Sequence, residues 1–139
     1  RDHHELGHLY RALLEGITYE QLTVLSMIEE ATATSTERMR LMGGGARSGL
    51  WVQLIADIFE RPVEVTEHTE TTALGAAVLA AAGAGVANET DVVATAQRMS
   101  QGWREVQPRA DDRDRYRRMA GAYRELYPAL KGVFRQLAP

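Results

Sequence analysis

The stretch LMGGGARSGLW, residues 41–51, places three consecutive glycines between a short apolar run and a helix-like run. One glycine is usually enough for a strand-to-helix turn, so three in a row need a further reason. Glycines let a backbone approach a ligand closely. The helix that follows directs free N–H groups and the positive end of its dipole toward the turn. The residues alone therefore predict either a nucleotide- or phosphate-binding turn or a purely structural one.

The composition of the 139-residue chain limits the kind of protein it belongs to. Hydrophobic residues make up 45% and charged residues 25%, which is typical of globular proteins. The net charge of −3 argues against nucleic-acid and anionic-membrane partners, and the lack of cysteine excludes disulfides and thiolate metal sites. The chain begins with Arg1 and contains neither a signal-peptide pattern nor a membrane-spanning run. We therefore expect a segment of a longer cytoplasmic enzyme.

Hydrophobic periodicity divides the first half of the chain into alternating helices and strands. Apolar residues at three- and four-residue steps predict one long helix over residues 5–33. The short apolar run at residues 38–42 predicts a buried strand. Residues 48–60 predict a helix with Ser48 as its N-cap. Residues 61–65 predict a second strand, with its proline at the start or at a sheet edge.

Three more helices are predicted in the second half. Residues 71–85 form a small-residue helix that one of its first two threonines caps and a glycine ends. Residues 89–99 form another, capped by Asp91 or by the threonine before it. The last helix covers residues 116–137 and is expected to be kinked or divided at Pro128. The absence of repeats and low-complexity linkers favours one compact α/β unit.

The sequence HELGH, residues 4–8, matches the H-E-x-x-H pattern of zinc proteases. His4 and His8 would be zinc ligands on one helical face, and Glu5 would activate a bound water. The third ligand would be Glu29 or Glu30. An uninterrupted helix rises about 1.5 Å per residue and places Glu29 roughly 30 Å from His8. Zinc ligands must lie within roughly 2 Å of the metal, so we interpret these histidines as surface residues near a helix start.

A dinucleotide-binding fingerprint is a second interpretation of the glycine stretch. A carboxylate, Glu64, lies about twenty residues downstream, where a ribose hydroxyl is bound in such domains. The spacing fails in detail because Gly43-x-Gly45-x-x leads to Ser48 instead of glycine or alanine. Two alternatives remain beside a nucleotide-binding turn. One is a dinucleotide-binding oxidoreductase domain that depends on Glu64; the other is a non-catalytic interaction module with a structural glycine turn.

The order of the motifs resembles a known family. The segments HLYRALLEGITYE, LMGGGARSGLWVQLIADIFERPVEV, ETTALGAAVLAAAGAGV and RYRRMAGAYRELYPAL follow one another with family-like spacing. Together they resemble the C-terminal domain of the FGGY family of carbohydrate kinases, over nearly the whole chain. Within that family the chain is most similar to xylulose kinases.

The resemblance implies a fold and an activity. It implies a helix-rich C-terminal domain of the actin-like, ribonuclease H-like type over residues 1–139, from a two-domain kinase whose cleft closes on substrate. Members transfer the γ-phosphate of ATP, with Mg²⁺, to a sugar or polyol hydroxyl. It also implies that the glycine turn and the next helix start line the adenosine and α-phosphate side of the ATP site, largely through backbone atoms. These positions are Gly43, Gly44, Gly45, Ala46, Ser48 and Gly49.

The chain departs from the family in what it lacks. The family's catalytic Asp lies in an upstream glycine-flanked motif, and most sugar-binding residues lie in the N-terminal domain. Neither has a counterpart here, so we assign no catalytic or metal-binding residue and expect the chain alone to be inactive. Glu70 is expected to cap or brace the alanine-rich helix. That helix is expected to be buried inside the parent domain, with packing against a second subunit as the alternative.

Two further expectations concern packing. Trp51 and Trp103 are candidates for stacking on adenine, but the helical spacing of Trp51 with Leu54 and Ile55 favours a place in the core. A domain separated from its partner exposes former cleft and interdomain surface. We therefore expect self-association or reduced stability of this chain.

Overall fold

The computed structural model describes residues 4–68, 70–86 and 90–137. Within these residues lie five α-helices, three strands and a short 3₁₀ turn. The helices are α1 (Leu6–Thr32), α2 (Gly49–Phe59), α3 (Thr71–Gly83), α4 (Val92–Met99) and α5 (Arg113–Leu137). The strands are β1 (Met39–Leu41), β2 (Val63–Thr66) and β3 (Trp103–Val106), and the 3₁₀ turn spans Gly44–Arg47.

The three strands form one mixed sheet in the order β1-β2-β3. β1 and β2 are parallel, with Leu41 opposite Val65, whereas β2 and β3 are antiparallel, with Thr66 opposite Trp103. Because β1 and β2 are parallel, the loops that follow them emerge at the same edge of the sheet. The glycine stretch follows β1 and therefore lies at this edge.

The main core lies on one face of the sheet, under α1, α2 and α5. Side chains alternate along a strand, so Val63 and Val65 of β2 share a face, and both are buried. The core residues packed around them are Leu14, Tyr19, Ala46, Val52, Leu54, Ile55, Ala56, Ile58, Phe59, Tyr116 and Ala120. Most of α2 is buried, so this helix, which begins directly after the glycine turn, is fixed in position.

The opposite face of the sheet is covered in part by the α3–α4 pair. Thr66 and Trp103 point to this side, and with Leu74, Val78 and Ala96 they line an apolar pocket of about 180 Å³. On α3 itself the buried side chains are Val78 and Ala82. Most of the alanine-rich helix is therefore exposed in this chain.

The helix starts confirm two of the predicted caps and correct a third. The Ser48 hydroxyl accepts a hydrogen bond from the Trp51 amide at 3.3 Å, and an Asp91 carboxylate oxygen accepts one from the Val93 amide at 2.8 Å. Both residues are N-caps, as predicted. The prediction that a threonine caps α3 is wrong, because Thr71 is already helical and Glu70 occupies the cap position.

Two features of the second half differ from the expectation. β3 was not predicted: two of its residues, Arg104 and Glu105, are charged, so the apolar alternation of a strand is missing. α5 was expected to be kinked or divided at Pro128; it is not divided, because it continues as one helix past the proline to Leu137. Proline removes a single backbone donor, and the good helix formers that flank it here maintain the helix.

α1 is one uninterrupted helix, as its periodicity predicts. Among the described residues, no helix has the length and apolar character that a membrane crossing requires.

Candidate functional site

Gly43 begins the turn after β1 in a conformation that requires glycine. Its φ angle is 83°, in the left-handed region that side chains rarely adopt. Its carbonyl accepts the Ala46 amide at 3.1 Å, and the Gly45 carbonyl accepts the Ser48 amide at 3.1 Å. These bonds form the 3₁₀ turn, which leads directly into α2. Gly43 therefore has a structural reason to be glycine.

Gly45 is glycine for a different reason. A Cβ atom at this position would lie 3.0 Å from Cζ3 and 3.2 Å from Cε3 of the Trp51 ring. The ring is held in place because its Nε1 donates to the hydroxyl of the buried Thr18 at 3.1 Å. Trp51 is partly buried and packs against the core, as its spacing predicts. Close packing inside the protein accounts for Gly45.

Neither a positive φ angle nor close packing explains the glycines at positions 44 and 49. Neither adopts a left-handed φ, and a Cβ atom at either position would meet open space. The amides of Gly44, Gly45, Gly49 and Leu50 also find no acceptor among the residues that the structure describes. The first amides of α2 and of the 3₁₀ turn thus form a surface of free donors next to side-chain-free backbone, at the positive end of the α2 dipole.

An ion pair adjoins these donors. Nη2 of Arg47, the last residue of the 3₁₀ turn, lies 2.6 Å from Oε1 of Glu70. Glu70 makes no side-chain cap bond to α3. Glu70 occupies the cap position of α3, but its carboxylate links the start of this helix to the glycine turn instead of capping it. No sequence motif relates Arg47 to a residue 23 positions away, so its pairing with Glu70 could not be predicted.

Glu64 does not occupy the place that a dinucleotide-binding domain requires. It lies in the middle of β2, opposite Arg40, instead of at the carboxyl end of a strand. Arg40 Nε lies 2.7 Å from its carboxylate and Arg38 Nη1 lies 3.5 Å away, and the hydrogen bond from Arg40 lowers the pKa of Glu64. The Arg40 guanidinium also lies over the Trp103 ring, 4.8 Å from its centre. Glu64, the candidate for ribose binding, and Trp103, a candidate for stacking on adenine, are thus both in contact with Arg40.

The HELGH segment is part of a helix start. His8 Nδ1 accepts the backbone N–H of Glu5 at 3.1 Å, in a capping arrangement at the beginning of α1. Because α1 is continuous from Leu6 to Thr32, Glu29 lies near the opposite end of the helix from His8. Among the described residues, no group of three or more His, Asp or Glu side chains is placed to hold a metal ion.

Comparison with known proteins identifies the family. The sequence profile of the C-terminal domain of the FGGY family of carbohydrate kinases matches residues 1–84, more than half of the chain. The chain belongs to this family. The matched residues include α1, the glycine turn, α2 and all of α3.

Individual FGGY kinases align with more of the chain. Gluconokinase of Bacillus licheniformis is 33% identical over 135 residues, which cover 97% of this chain and 26% of that protein. The crystal structure of xylulose kinase from Rhodospirillum rubrum has a TM-score of 0.69 at 29% identity and covers 97% of this chain and 27% of its own. Plasmodium falciparum glycerol kinase, solved with ADP, has the same fold, with a TM-score of 0.69 at 24% identity, and covers all of this chain and 26% of its own.

These comparisons decide the fold and the class. The helix-rich α/β fold is that of the FGGY C-terminal domain, as predicted, and the chain spans about a quarter of the length of the relatives it matches. The dinucleotide-binding oxidoreductase interpretation is wrong, because the family and the position of Glu64 both contradict it. These relatives are a gluconokinase, a xylulose kinase and a glycerol kinase, so the comparisons identify the family but not one substrate.

Proposed function

We propose that this chain forms the nucleotide-binding, C-terminal part of an ATP-dependent kinase that phosphorylates a sugar or polyol hydroxyl. Xylulose-like sugars and gluconate are the first substrates to test, because xylulose kinase of R. rubrum matches 97% of the chain at 29% identity and gluconokinase of B. licheniformis matches 97% at 33%. The residues that would select the sugar and accept the hydroxyl proton would come from the remaining three-quarters of a protein of the relatives' length.

The observation that carries this proposal is the surface at Gly44 and Gly49. Neither glycine is required by its conformation or by internal packing, and the adjacent amides have no acceptor among the described residues. An adenine nucleotide explains both features. Its sugar or base would pass close to the bare backbone, and its α-phosphate would accept hydrogen bonds from the free amides. The ADP-bound P. falciparum glycerol kinase shares this fold, which supports a nucleotide in the same family.

The chain's own residues would bind and orient the nucleotide. Gly43, Gly44, Gly45 and Ala46 would supply backbone, and Gly49 would supply a free amide at the start of α2. The Ser48 hydroxyl already accepts the Trp51 amide, but its hydrogen is free to donate to a phosphate oxygen. Mg²⁺ would arrive with the ATP phosphates and stabilise charge during transfer. Since transfer also needs an aligned hydroxyl and a base, the chain by itself is expected to be inactive.

The experiment that tests this proposal is an NMR titration of the ¹⁵N-labelled chain with ATP, ADP and NAD. We expect ATP and ADP to shift the amide signals of Gly44, Gly45, Gly49 and Leu50, with NAD weaker. Gly44→Val should abolish these shifts, because its side chain would extend into the space that the nucleotide needs. Gly45→Val is unsuitable, since a side chain there would first collide with Trp51.

The matched control is Gly121→Val on α5, where a Cβ atom also meets open space. This variant should bind ATP and ADP like the wild-type chain. Preference for NAD, or the absence of shifts with every nucleotide at millimolar concentration, would contradict the proposal. Shifts confined to residues away from the glycine turn would place the site elsewhere.

A further inference from the structure

We propose that the glycine turn discriminates phosphorylated nucleotides from nucleosides through Arg47. When a phosphorylated nucleotide binds, the Arg47 guanidinium releases Glu70 and binds a phosphate oxygen instead. This inference rests on the nucleotide site proposed above. It assigns a role to an ion pair that the family resemblance leaves without one. It also predicts that Glu70 weakens phosphate binding by competing for Arg47.

The position of Arg47 is fixed by the backbone on both sides. It ends the 3₁₀ turn that Gly44 begins, and Ser48, the next residue, caps α2. The free amides of Gly44, Gly45, Gly49 and Leu50 therefore all lie within three residues of it along the chain. Arg47 is also the only basic residue in the glycine stretch, residues 41–51. Its guanidinium is the cation that this turn can offer to an anion held by the amides.

Glu70 reaches the same edge of the sheet from the neighbouring loop. The glycine turn follows β1 and Glu70 follows β2, and these two strands are parallel, so both loops emerge on one side. The carboxylate occupies one Nη2 donor of Arg47, at 2.6 Å. A carboxylate on this rim also repels an incoming phosphate, so the Arg47–Glu70 pair and a bound phosphate would compete for Arg47.

The exchange of partners is favoured by the exposure of the pair. The side chains of Arg47 and Glu70 are 57% and 76% exposed, and ion pairs at such exposure contribute little to stability. The diphosphate of ADP carries more charge in total than a carboxylate and, like a carboxylate, can accept two parallel hydrogen bonds from one guanidinium. It is also held by the nearby amides. The contact of Arg47 with a phosphate should therefore be stronger than its contact with Glu70. Adenosine has no phosphate and should leave the Arg47–Glu70 pair unchanged.

The test compares ADP with adenosine in NMR titrations of the chain and its variants. In Arg47→Gln we expect ADP to bind about tenfold more weakly, equivalent to about 1.4 kcal/mol, with adenosine affinity unchanged. In Glu70→Gln we expect ADP to bind severalfold more tightly, again without a change for adenosine. The difference between the wild type and Arg47→Gln should diminish as salt concentration rises, because the contact is ionic.

The control variant is Arg117→Gln on α5. Arg117 forms a comparable ion pair, with Nε 2.6 Å from Glu60, and its side chain is 61% exposed. It should bind ADP and adenosine like the wild type. This comparison separates a contact with the phosphate from a general effect of removing one positive charge.

Two results would overturn the role of Arg47 while leaving the nucleotide site intact. One is unchanged ADP affinity in Arg47→Gln; the other is an equal loss for ADP and adenosine, which would indicate a structural role. Tighter ADP binding in Glu70→Gln supports the exchange, and weaker binding contradicts it. If the wild-type chain responds to neither ADP nor adenosine, the proposed site itself is wrong, and the inference falls with it.

Discussion

At the scale of single residues, the two adjacent glycines of the turn should respond in opposite ways to an added methyl group. In Gly45→Ala the new Cβ would lie 3.0 Å from a Trp51 ring that Thr18 holds in place, so the ring or the turn must shift. In Gly44→Ala the methyl meets open space and reduces the entropy of the unfolded chain. We expect Gly45→Ala to be less stable than Gly44→Ala by about 1 kcal/mol.

Urea denaturation, monitored by tryptophan fluorescence, measures this difference in unfolding free energy. Gly44→Ala is the internal control, because it makes the same chemical change one residue away. Equal midpoints for the two variants would show that Trp51 moves freely and that packing does not require glycine at position 45.

Asp57 is the residue on which the loop after β3 depends. Its carboxylate, 1% exposed on α2, accepts hydrogen bonds from the Arg109 amide at 2.8 Å, from Arg109 Nη2 at 2.7 Å and from Gln53 at 2.8 Å. Asp57→Ala would leave the Arg109 amide and the Gln53 side chain without this acceptor. We expect a loss of about 1 to 3 kcal/mol in unfolding free energy, since several hydrogen bonds to a charged acceptor are removed while the Arg109 side chain stays half-exposed.

Arg109→Gln provides the comparison for Asp57. It removes the guanidinium but keeps the backbone bond to the carboxylate, so urea denaturation should show a smaller loss than in Asp57→Ala. A larger loss in Arg109→Gln would mean that the charge pair, and not the hydrogen bond of the Arg109 amide, accounts for most of the stability.

At the scale of elements, the helices with strong apolar periodicity were predicted well. α1 and α2 were both predicted to within one or two residues, because a helix that packs on a core repeats its apolar residues over several turns. β3 has four residues, and only Trp103 and Val106 among them are partly buried. Such a strand is defined by pairing with β2, and pairing leaves little trace in the sequence.

In the candidate site too, local features could be predicted from the sequence and tertiary contacts could not. The glycine turn and its Ser48 cap were predictable, because they are local features of a strand-to-helix connection. The contact between Gly45 and the Trp51 ring and the Arg47–Glu70 pair were not. Both depend on how α2 packs against α1 and on how two loops meet, which are tertiary arrangements. Sequence patterns located the turn, and tertiary contacts explain Gly45 and Arg47 within it.

Glu29 connects the end of α1 to two other segments, and this connection should depend on pH. The Arg61 guanidinium, at 2.8 Å, and the Thr36 amide lower the pKa of Glu29 from 4.5 to about 2. Between these values the unfolded chain binds a proton that the folded chain does not. The contribution of Glu29 to stability should therefore be complete above pH 4.5, decline as pH falls, and be lost near pH 2.

Urea midpoints of the wild type and Glu29→Gln, measured between about pH 5 and pH 3, test this dependence. The wild type should lose more stability on acidification than the variant, because glutamine does not titrate. Glu60 and Glu64 also have lowered pKa values, so the difference between the two proteins isolates Glu29. Glu30→Gln, one residue along the same helix, is the control. Parallel pH curves for wild type and Glu29→Gln would contradict the prediction.

At the scale of the whole molecule, large apolar side chains remain uncovered on two helices. On α1 an exposed stripe comprises Leu6, Leu9, Tyr10, Leu13 and Ile17, and the end of α5 exposes Leu126, Tyr127, Leu130, Val133, Phe134 and Leu137. A groove of about 510 Å³ runs between α1 and β1, lined by Val24, Ile28 and Met39 among others. Single exposed apolar residues are common in monomeric proteins, but continuous stripes mark surfaces that another protein surface covers.

This chain in isolation should therefore self-associate, and the α1 stripe should contribute to it. Sedimentation velocity at increasing protein concentration should show a rising average mass for the wild type. Leu13→Lys should lower it, because a lysine in the stripe would lose hydration without gaining a partner when two chains meet.

Leu79→Lys is a matched control: Leu79 on α3 is 62% exposed, against 60% for Leu13, but its helical neighbours are mainly alanines. If both variants reduce association equally, general charge and not the α1 stripe is responsible. A wild type that stays monomeric at every concentration would contradict the prediction of self-association.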